Sequence, residues 1–294
     1  MKKLISILSF TIAAALLIVS GCSKDEDTIP PTISYKQDAG YVSSNTGAGY
    51  GDTLVFGIIA KSNGTDKLVS FRIEANGEQL LDSTINTQDF TIDFYMVKSV
   101  QEKEVWKFTA TDIAGNSKTD SIIITGNFGD ILTYNSITLG AQNNIYARGF
   151  LSLSNGTSTL LYSQDEAFNN QPYIDMFCFY ENTAENINLM SLAGPGSNIT
   201  GIFSGATSPE NYTTKNIIFL VKTELTSAQF YTVQNDAVIL ESFKSNSQLK
   251  KANLLKAGEV YSFKLHSGKY GLFNVTSVEG TETGTLRIAV KIQK

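Results

Sequence analysis

The chain has 294 residues, with 23 Lys and Arg against 28 Asp and Glu, and a formal net charge of −5. Hydrophobic residues make up 42% and charged residues 17%, which supports a packed core and excludes wholesale disorder. An acidic balance without a basic run excludes nucleic acid as a partner, because neutralising phosphates needs clustered Lys and Arg.

Lys2 and Lys3 precede an apolar run from Leu4 to Val19. The run is shorter than the roughly 20 residues a helix needs to cross a bilayer. Positive start, short apolar middle and small residues at the end predict a signal peptide over 1–21. The end reads Val19-Ser20-Gly21-Cys22, which resembles the bacterial lipobox. That resemblance implies cleavage before Cys22, a diacylglyceryl group on its thiol and acylation of the new amino terminus. Each buried methylene adds about 0.8 kcal/mol, so two or more chains hold a protein to the membrane without a spanning helix. Ser23 precedes Lys24, Asp25, Glu26 and Asp27. This acidic stretch resembles the export signal of surface lipoproteins in glycan-foraging Gram-negative bacteria, implying a lipid-anchored, surface-exposed place on the outer membrane. The same residues also read as a solvated linker. Thr28-Ile29-Pro30-Pro31 extends that linker, which covers 22–31.

Residues 32–126 read as an all-β sandwich. Val69, Phe71, Ile73 and Ala75 alternate with polar neighbours, as a half-buried strand does. Asn76-Gly77 follows, a hairpin signal because both turn positions need positive φ. Phe90, Ile92 and Phe94 form a second alternating set; Trp106, Phe108 and Ala110 a third; Ile122 and Ile124 mark the last strand. Leu54 to Ala60 is more continuously apolar and reads as central. Gly47-Ala48-Gly49-Tyr50-Gly51 reads as a flexible loop. Six or seven short strands within this length point to a sandwich. Trp106 to Thr111, followed by Asp112-Ile113-Ala114-Gly115-Asn116, resembles the last hairpin of bacterial Ig-like domains, with Phe108 in place of the usual Val. The resemblance implies an Ig-like fold in which Asp112 caps its own turn or contributes to a calcium site; one carboxylate is too few for such a site alone. Trp106, the only tryptophan, reads as core.

Residues 127–294 read as a β-rich domain with two or three short helices. Strands are predicted at 137–139, 145–153, 160–162, 173–181, 216–221, 260–265, 270–278 and 285–292. Ser163 with Glu166, and Thr226 with Gln229, are capping boxes opening short helices; Asp236 is placed to cap a third. Leu286, Ile288, Val290 and Ile292 alternate with Arg287, Ala289, Lys291 and Gln293 in the last strand. Gly258 to Leu272, Ile137 to Gln142, and Ala167 with Ile174-Asp175 resemble pieces of uncharacterised surface lipoproteins from the same bacterial group, which implies an address more than an activity.

The chemistry-bearing residues are few. There are two cysteines and one histidine. With Cys22 assigned to lipid, no disulfide is expected, and Cys178, set among apolar neighbours, reads as a buried inert thiol. His266 falls on the outward set of its strand with Ser262 and Lys264. No metal site, cofactor or nucleotide-binding fingerprint is expected, and the chain is expected not to be an enzyme. Among 13 tyrosines, Tyr41, Tyr50, Tyr173 and Tyr212 lie in or beside loops, where a ring face can stack on a ligand; Tyr173 and Tyr212 are the named candidates. Asp27-Thr28-Ile29, Asp52-Thr53-Leu54, Asp82-Ser83-Thr84 and Asp120-Ser121-Ile122 resemble an O-glycosylation acceptor of these bacteria, which implies glycan on Thr28 or Thr53. The expected partner is a membrane through the lipid anchor, together with a protein, a matrix or a glycan.

Overall fold

The computed structural model describes residues 29–154, 160–183, 186–243 and 247–294. Cys22, Lys24, Asp25, Glu26, Asp27 and Thr28 lie outside the described residues. Among the described residues no helix is long and apolar enough to cross a membrane. The chain divides into two compact units. One comprises the described residues up to Tyr35 with Ile58–Ile92 and Lys107–Ser121; the other comprises Lys36–Gly57, Asp93–Trp106 and Ile122–Lys294.

The fold is mainly β, an Ig-like β-sandwich followed by a β-rich region with three short α-helices. The sandwich strands are β1 (Thr32–Tyr35), β2 (Thr46–Ala48), β3 (Thr53–Lys61), β4 (Leu68–Ala75), β5 (Glu78–Thr87), β6 (Asp89–Val97), β7 (Lys103–Asp112) and β8 (Ser117–Gly126). They form a three-stranded sheet ordered β1-β3-β6 and a five-stranded sheet ordered β2-β8-β7-β4-β5. Asn76 and Gly77 both have positive φ, 52° and 87°, as the β4–β5 turn requires. Gly47 and Ala48 belong to β2, paired parallel to β8, so these two are strand, and only Gly49-Tyr50-Gly51 lies in the loop that follows. Rings from the two sheets meet: Phe56 with Trp106 at 4.8 Å, and Phe71 with Phe90 at 5.1 Å.

The inward stripe of β7 begins and ends in a carboxylate, and each is satisfied. Glu104 accepts from Lys98 Nζ at 3.0 Å, the Ser99 amide at 2.9 Å and Trp106 Nε1 at 3.2 Å. Burial alone would raise the Glu104 pKa, but the bonds from Ser99 and Lys98 outweigh it and hold the carboxyl below the usual range. Asp112 accepts from the Asn116 amide at 2.8 Å and the Asn116 side chain at 3.1 Å, and so caps its own turn.

The β-rich region comprises β9 (Ile131–Gly140), β10 (Phe150–Leu151), β11 (Leu161–Tyr162), α1 (Gln164–Asn169), β12 (Met176–Thr183), β13 (Asn186–Ala193), β14 (Phe219–Lys222), α2 (Ser227–Thr232), α3 (Ala237–Ser242), β15 (Lys251–Ala252), β16 (Val260–Lys264), β17 (Tyr270–Glu279) and β18 (Thr285–Gln293). Two five-stranded sheets result, β11-β10-β12-β13-β15 and β14-β16-β17-β18-β9. Their facing residues, among them Leu151, Cys178, Leu192, Phe263, Phe273 and Ile288, share one core. Gly271 lies directly beneath Phe263, since a Cβ there would come within 2.2 Å of the ring. The other face of the second sheet is covered as well: Phe230, Val233 and Ile239 from the helical segment pack on Val260, Leu272 and Ala289.

That second covering layer corrects the expected alternation. Ala289 and Lys291 of β18 are buried along with Ile288 and Val290. The Lys291 ammonium donates to the Val233 and Tyr231 carbonyls at the end of α2, and burial lowers its pKa. Ser262 is likewise buried and donates to the Ser242 carbonyl at 3.0 Å. Both expected capping boxes form, at Ser163 and Thr226. Asp236 occupies the N-cap of α3 but makes no side-chain cap; its carboxylate accepts instead from the Gly129 amide at 2.7 Å and Gln293 Nε2 at 2.8 Å. The expected strand at 145–153 is strand only at Phe150–Leu151.

Candidate functional site

Residues 141–149, which take in the first five residues of that expected strand, form a compact loop between β9 and β10. Its ends touch: the Gly140 amide donates to the Arg148 carbonyl at 3.1 Å. A Cβ on Gly140 would sit 2.3 Å from the Ala147 carbonyl oxygen, and one on Gly149 2.5 Å from the Gly140 oxygen. Only glycine permits that approach. The loop is then fastened from within and from outside. Asn144 Oδ1 accepts from the amides of Tyr146 at 2.9 Å and Ala147 at 2.7 Å. Asn144 Nδ2 donates to the carbonyls of Thr283 at 2.7 Å and Gly284 at 3.0 Å. The Gln142 side chain exchanges two hydrogen bonds with the Tyr180 backbone, at 2.9 and 2.8 Å.

At the tip of this fixed loop stand Ile145 and Tyr146, 84% and 94% exposed. No other large hydrophobic side chain among the described residues is so exposed. Beneath them lies a cavity of about 440 Å³ lined by Tyr146, Arg148, Phe150, Ser163, Gln164 and Phe203. Phe150 and Phe203, their rings tilted with centres 5.4 Å apart, make its apolar floor. Arg148 pairs with Glu166 at 2.7 Å. The Ser163 amide holds the Glu166 carboxyl below the ordinary glutamate range; partial burial opposes this, and the Ser163 hydroxyl and Arg148 guanidinium assist it. Gln164 Nε2 donates to the Ser204 carbonyl at 2.8 Å and Thr207 Oγ1 at 3.2 Å, which leaves Oε1 as an acceptor. Aromatic lip, apolar floor and planar polar side chains are groups that a binding site uses.

The tyrosines singled out from sequence lie elsewhere. Tyr173, in the 3₁₀ turn Gln171–Tyr173, is 44% exposed but does not line this cavity. Tyr212 is only 4% exposed and packs against Phe168, so it offers no platform; its hydroxyl has no hydrogen-bond partner among the described residues, and burial raises its pKa. Tyr41 is occupied by Asp93, at 3.1 Å from its hydroxyl, and by Lys36 over its ring. Tyr50 is half-buried, and Thr53 is exposed at the first residue of β3. Cys178 is buried, and burial raises its pKa. Among the described residues no three His, Cys, Asp or Glu side chains cluster to hold a metal ion. Tyr146 is not legible as a site residue from sequence, because it and Ile145 favour strand when considered alone. The Gly140 and Gly149 pair bracketing Gln142-Asn143-Asn144 was the signal for a loop.

A second cluster surrounds Asp175, which is fully buried. It accepts from the amides of Leu153 at 2.6 Å and Ser154 at 2.9 Å, and from Ser154 Oγ at 2.9 Å. His266 Nδ1 lies 3.2 Å from its Oδ1. His266 stands past the end of β16, in a turn, and its sequence neighbours gave no hint of a partner 91 positions earlier.

No protein-family model matches the chain, and no curated protein does. Among solved structures it is similar to a DUF4466 family protein from Parabacteroides merdae, at 14% identity over 90% of this chain and 99% of that one, with a TM-score of 0.41. Similarity to fibronectin(III)-like modules of CbhA from Clostridium thermocellum is 16% identity over 33% of this chain and 47% of that one, TM-score 0.23. Similarity to extracellular domains 3–5 of Drosophila OTK is 9% identity over 87% and 95%, TM-score 0.25. Overlaps of this size carry no argument about function, and the fold stands on its own strand pairing.

Proposed function

We propose that the chain is a non-catalytic lipoprotein of the outer membrane that displays a binding module at the cell surface. Acylated Cys22 is the anchor, the acidic run Lys24 to Asp27 directs it outward, the Ig-like sandwich is the stalk, and the Ile145–Tyr146 loop contacts a protein partner or matrix. The observation that carries the reading is the loop itself. Two apolar side chains in water contribute nothing to folding, yet Asn144 fixes the backbone that holds them. A rigid aromatic anchor ordered before binding lowers the entropy cost of docking. Capture from crosslinked intact cells tests it: the wild type retains a partner that Tyr146→Ala loses, and equal capture by both overturns the reading. Protease added to intact cells degrades the protein if it faces outward, and Cys22→Ser releases it from the membrane fraction.

A second reading is a glycan-binding accessory of polysaccharide uptake. Tyr146 favours it, since its ring shares a cavity with Arg148 and Gln164, and sugars take stacking and planar hydrogen-bonding groups together. A polysaccharide screen that Tyr146→Ala abolishes, with no protein captured, decides for it.

A further inference from the structure

The turn after β16 is closed by the Leu265 amide on the Lys269 carbonyl at 2.9 Å and the Gly268 amide on the Leu265 carbonyl at 3.0 Å. From it the His266 ring folds back so that Nδ1 meets the buried Asp175 carboxylate at 3.2 Å. With Nδ1 against Asp175 Oδ1, Nε2 is the ring nitrogen on the opposite side, free of that contact. His266 lines an open cleft of about 590 Å³, within the size range of small-molecule sites. Its other walls include Ile217, Phe219, Leu265, Lys215 and Lys264. Lys215 Nζ rests on the Glu210 carbonyl at 2.8 Å, and Lys264 Nζ lies 5.1 Å from the Tyr270 ring centre. Neither forms an ion pair among the described residues. The cleft therefore joins an imidazole whose Nδ1 side is held against Asp175, an apolar wall and two cations without ion-pair partners among the described residues, on a chain whose net charge is −5.

We propose that this cleft binds a flat, apolar, carboxylate-bearing metal macrocycle of the iron-porphyrin class. His266 Nε2 is the axial ligand, Ile217 and Phe219 pack on the ring face, and Lys215 and Lys264 meet the carboxylates. Imidazole is an ordinary axial donor to such iron. A bare metal ion would find only one protein ligand here, and an apolar anion without metal would make no use of Nε2. This site is separate from the Tyr146 cavity, and neither proposal depends on the other.

Titration of the full chain with hemin, followed by its Soret absorbance, tests the proposal. Wild type gives a saturable one-to-one shift of the band. His266→Ala loses the shift and at least about tenfold in affinity. Lys215→Glu with Lys264→Glu weakens binding severalfold and leaves the band position unchanged. Iron-free protoporphyrin binds more weakly than hemin and does not distinguish wild type from His266→Ala. His266→Asn, which retains a donor toward Asp175, takes the place of the alanine variant if that one melts early. No saturable shift with hemin overturns the proposal, as does the same shift in the histidine variants. Iron-free porphyrin binding as tightly as hemin also overturns it and reduces the cleft to a site for apolar anions.

Discussion

Residues 32–126 and 127–294 handle polar groups in their cores differently. In the sandwich, β7 alternates, and its buried Glu104 meets an opposite charge on Lys98. In the β-rich region, β18 is covered on both faces, and its buried Lys291 meets only helix-end carbonyls. A sheet with one solvated face can leave its charges outside. A sheet covered twice must neutralise or hydrogen-bond whatever its second face carries. The largest test of this contrast removes one half of a pair. Glu104→Ala leaves the Lys98 ammonium, which is fully buried, without its counterion, and also frees Trp106 Nε1. The expected loss is about 3–5 kcal/mol, read as a lower urea midpoint. Lys291→Met keeps the stem and deletes a charge without a counterion, so it should cost far less. Equal losses from the two would end the distinction.

Alkaline titration sharpens the same contrast. Burial raises Tyr261 to about 12, with Glu259 adding to the shift, and burial raises Tyr35 and Tyr212 as well. In the unfolded chain these phenols ionise near 10. Their contribution to stability is complete below about pH 10, and that of Tyr261 is lost as pH rises through about 12, because the unfolded chain releases protons first. Lys291 acts in the opposite sense, since its folded pKa is lowered and its burial penalty fades as pH climbs. Three phenols outweigh one amine, so stability should fall above pH 10. Part of the phenolate absorbance should appear late and together with unfolding; 13 tyrosines ionising as one free population would contradict it.

A smaller effect separates two helix starts that look alike in sequence. Thr226 accepts the Gln229 amide at 3.3 Å and closes a capping box, so Thr226→Ala should cost about 1 kcal/mol. Asp236 makes no such cap, and its carboxylate instead accepts from Gly129 and Gln293. Asp236→Ser, which preserves a capping group, should therefore fail to restore stability where Thr226→Ser succeeds.

These differences explain what could be read in advance. Alternation located β4, β6 and β7, because each has one solvated face and one local rule decides it. The capping boxes at Ser163 and Thr226 were legible because three residues suffice to define them. Ser262 and Lys291 were misplaced as outward because the layer covering them comes from residues 230–242. The Asp175–His266 contact was hidden because its two partners lie 91 positions apart. The 141–149 loop was misread because Ile145 and Tyr146 favour strands when considered alone. What overrides them is a pair of glycines and one asparagine side chain holding four backbone groups.

The smallest expected effect is the one on which the binding proposal turns. Tyr146 is almost wholly in water. Its amide is held by Asn144, a bond that belongs to the backbone and survives any change of side chain. Tyr146→Ala should then alter stability by less than about 0.5 kcal/mol, while Asn144→Ala, which releases four bonds, should speed amide exchange across 145–149. If Tyr146→Ala destabilised the chain by more than about 1 kcal/mol, the ring would be a structural element and the docking reading would lose its support. A ring that leaves stability unchanged when removed is not explained by folding, and capture from intact cells then asks what it is for.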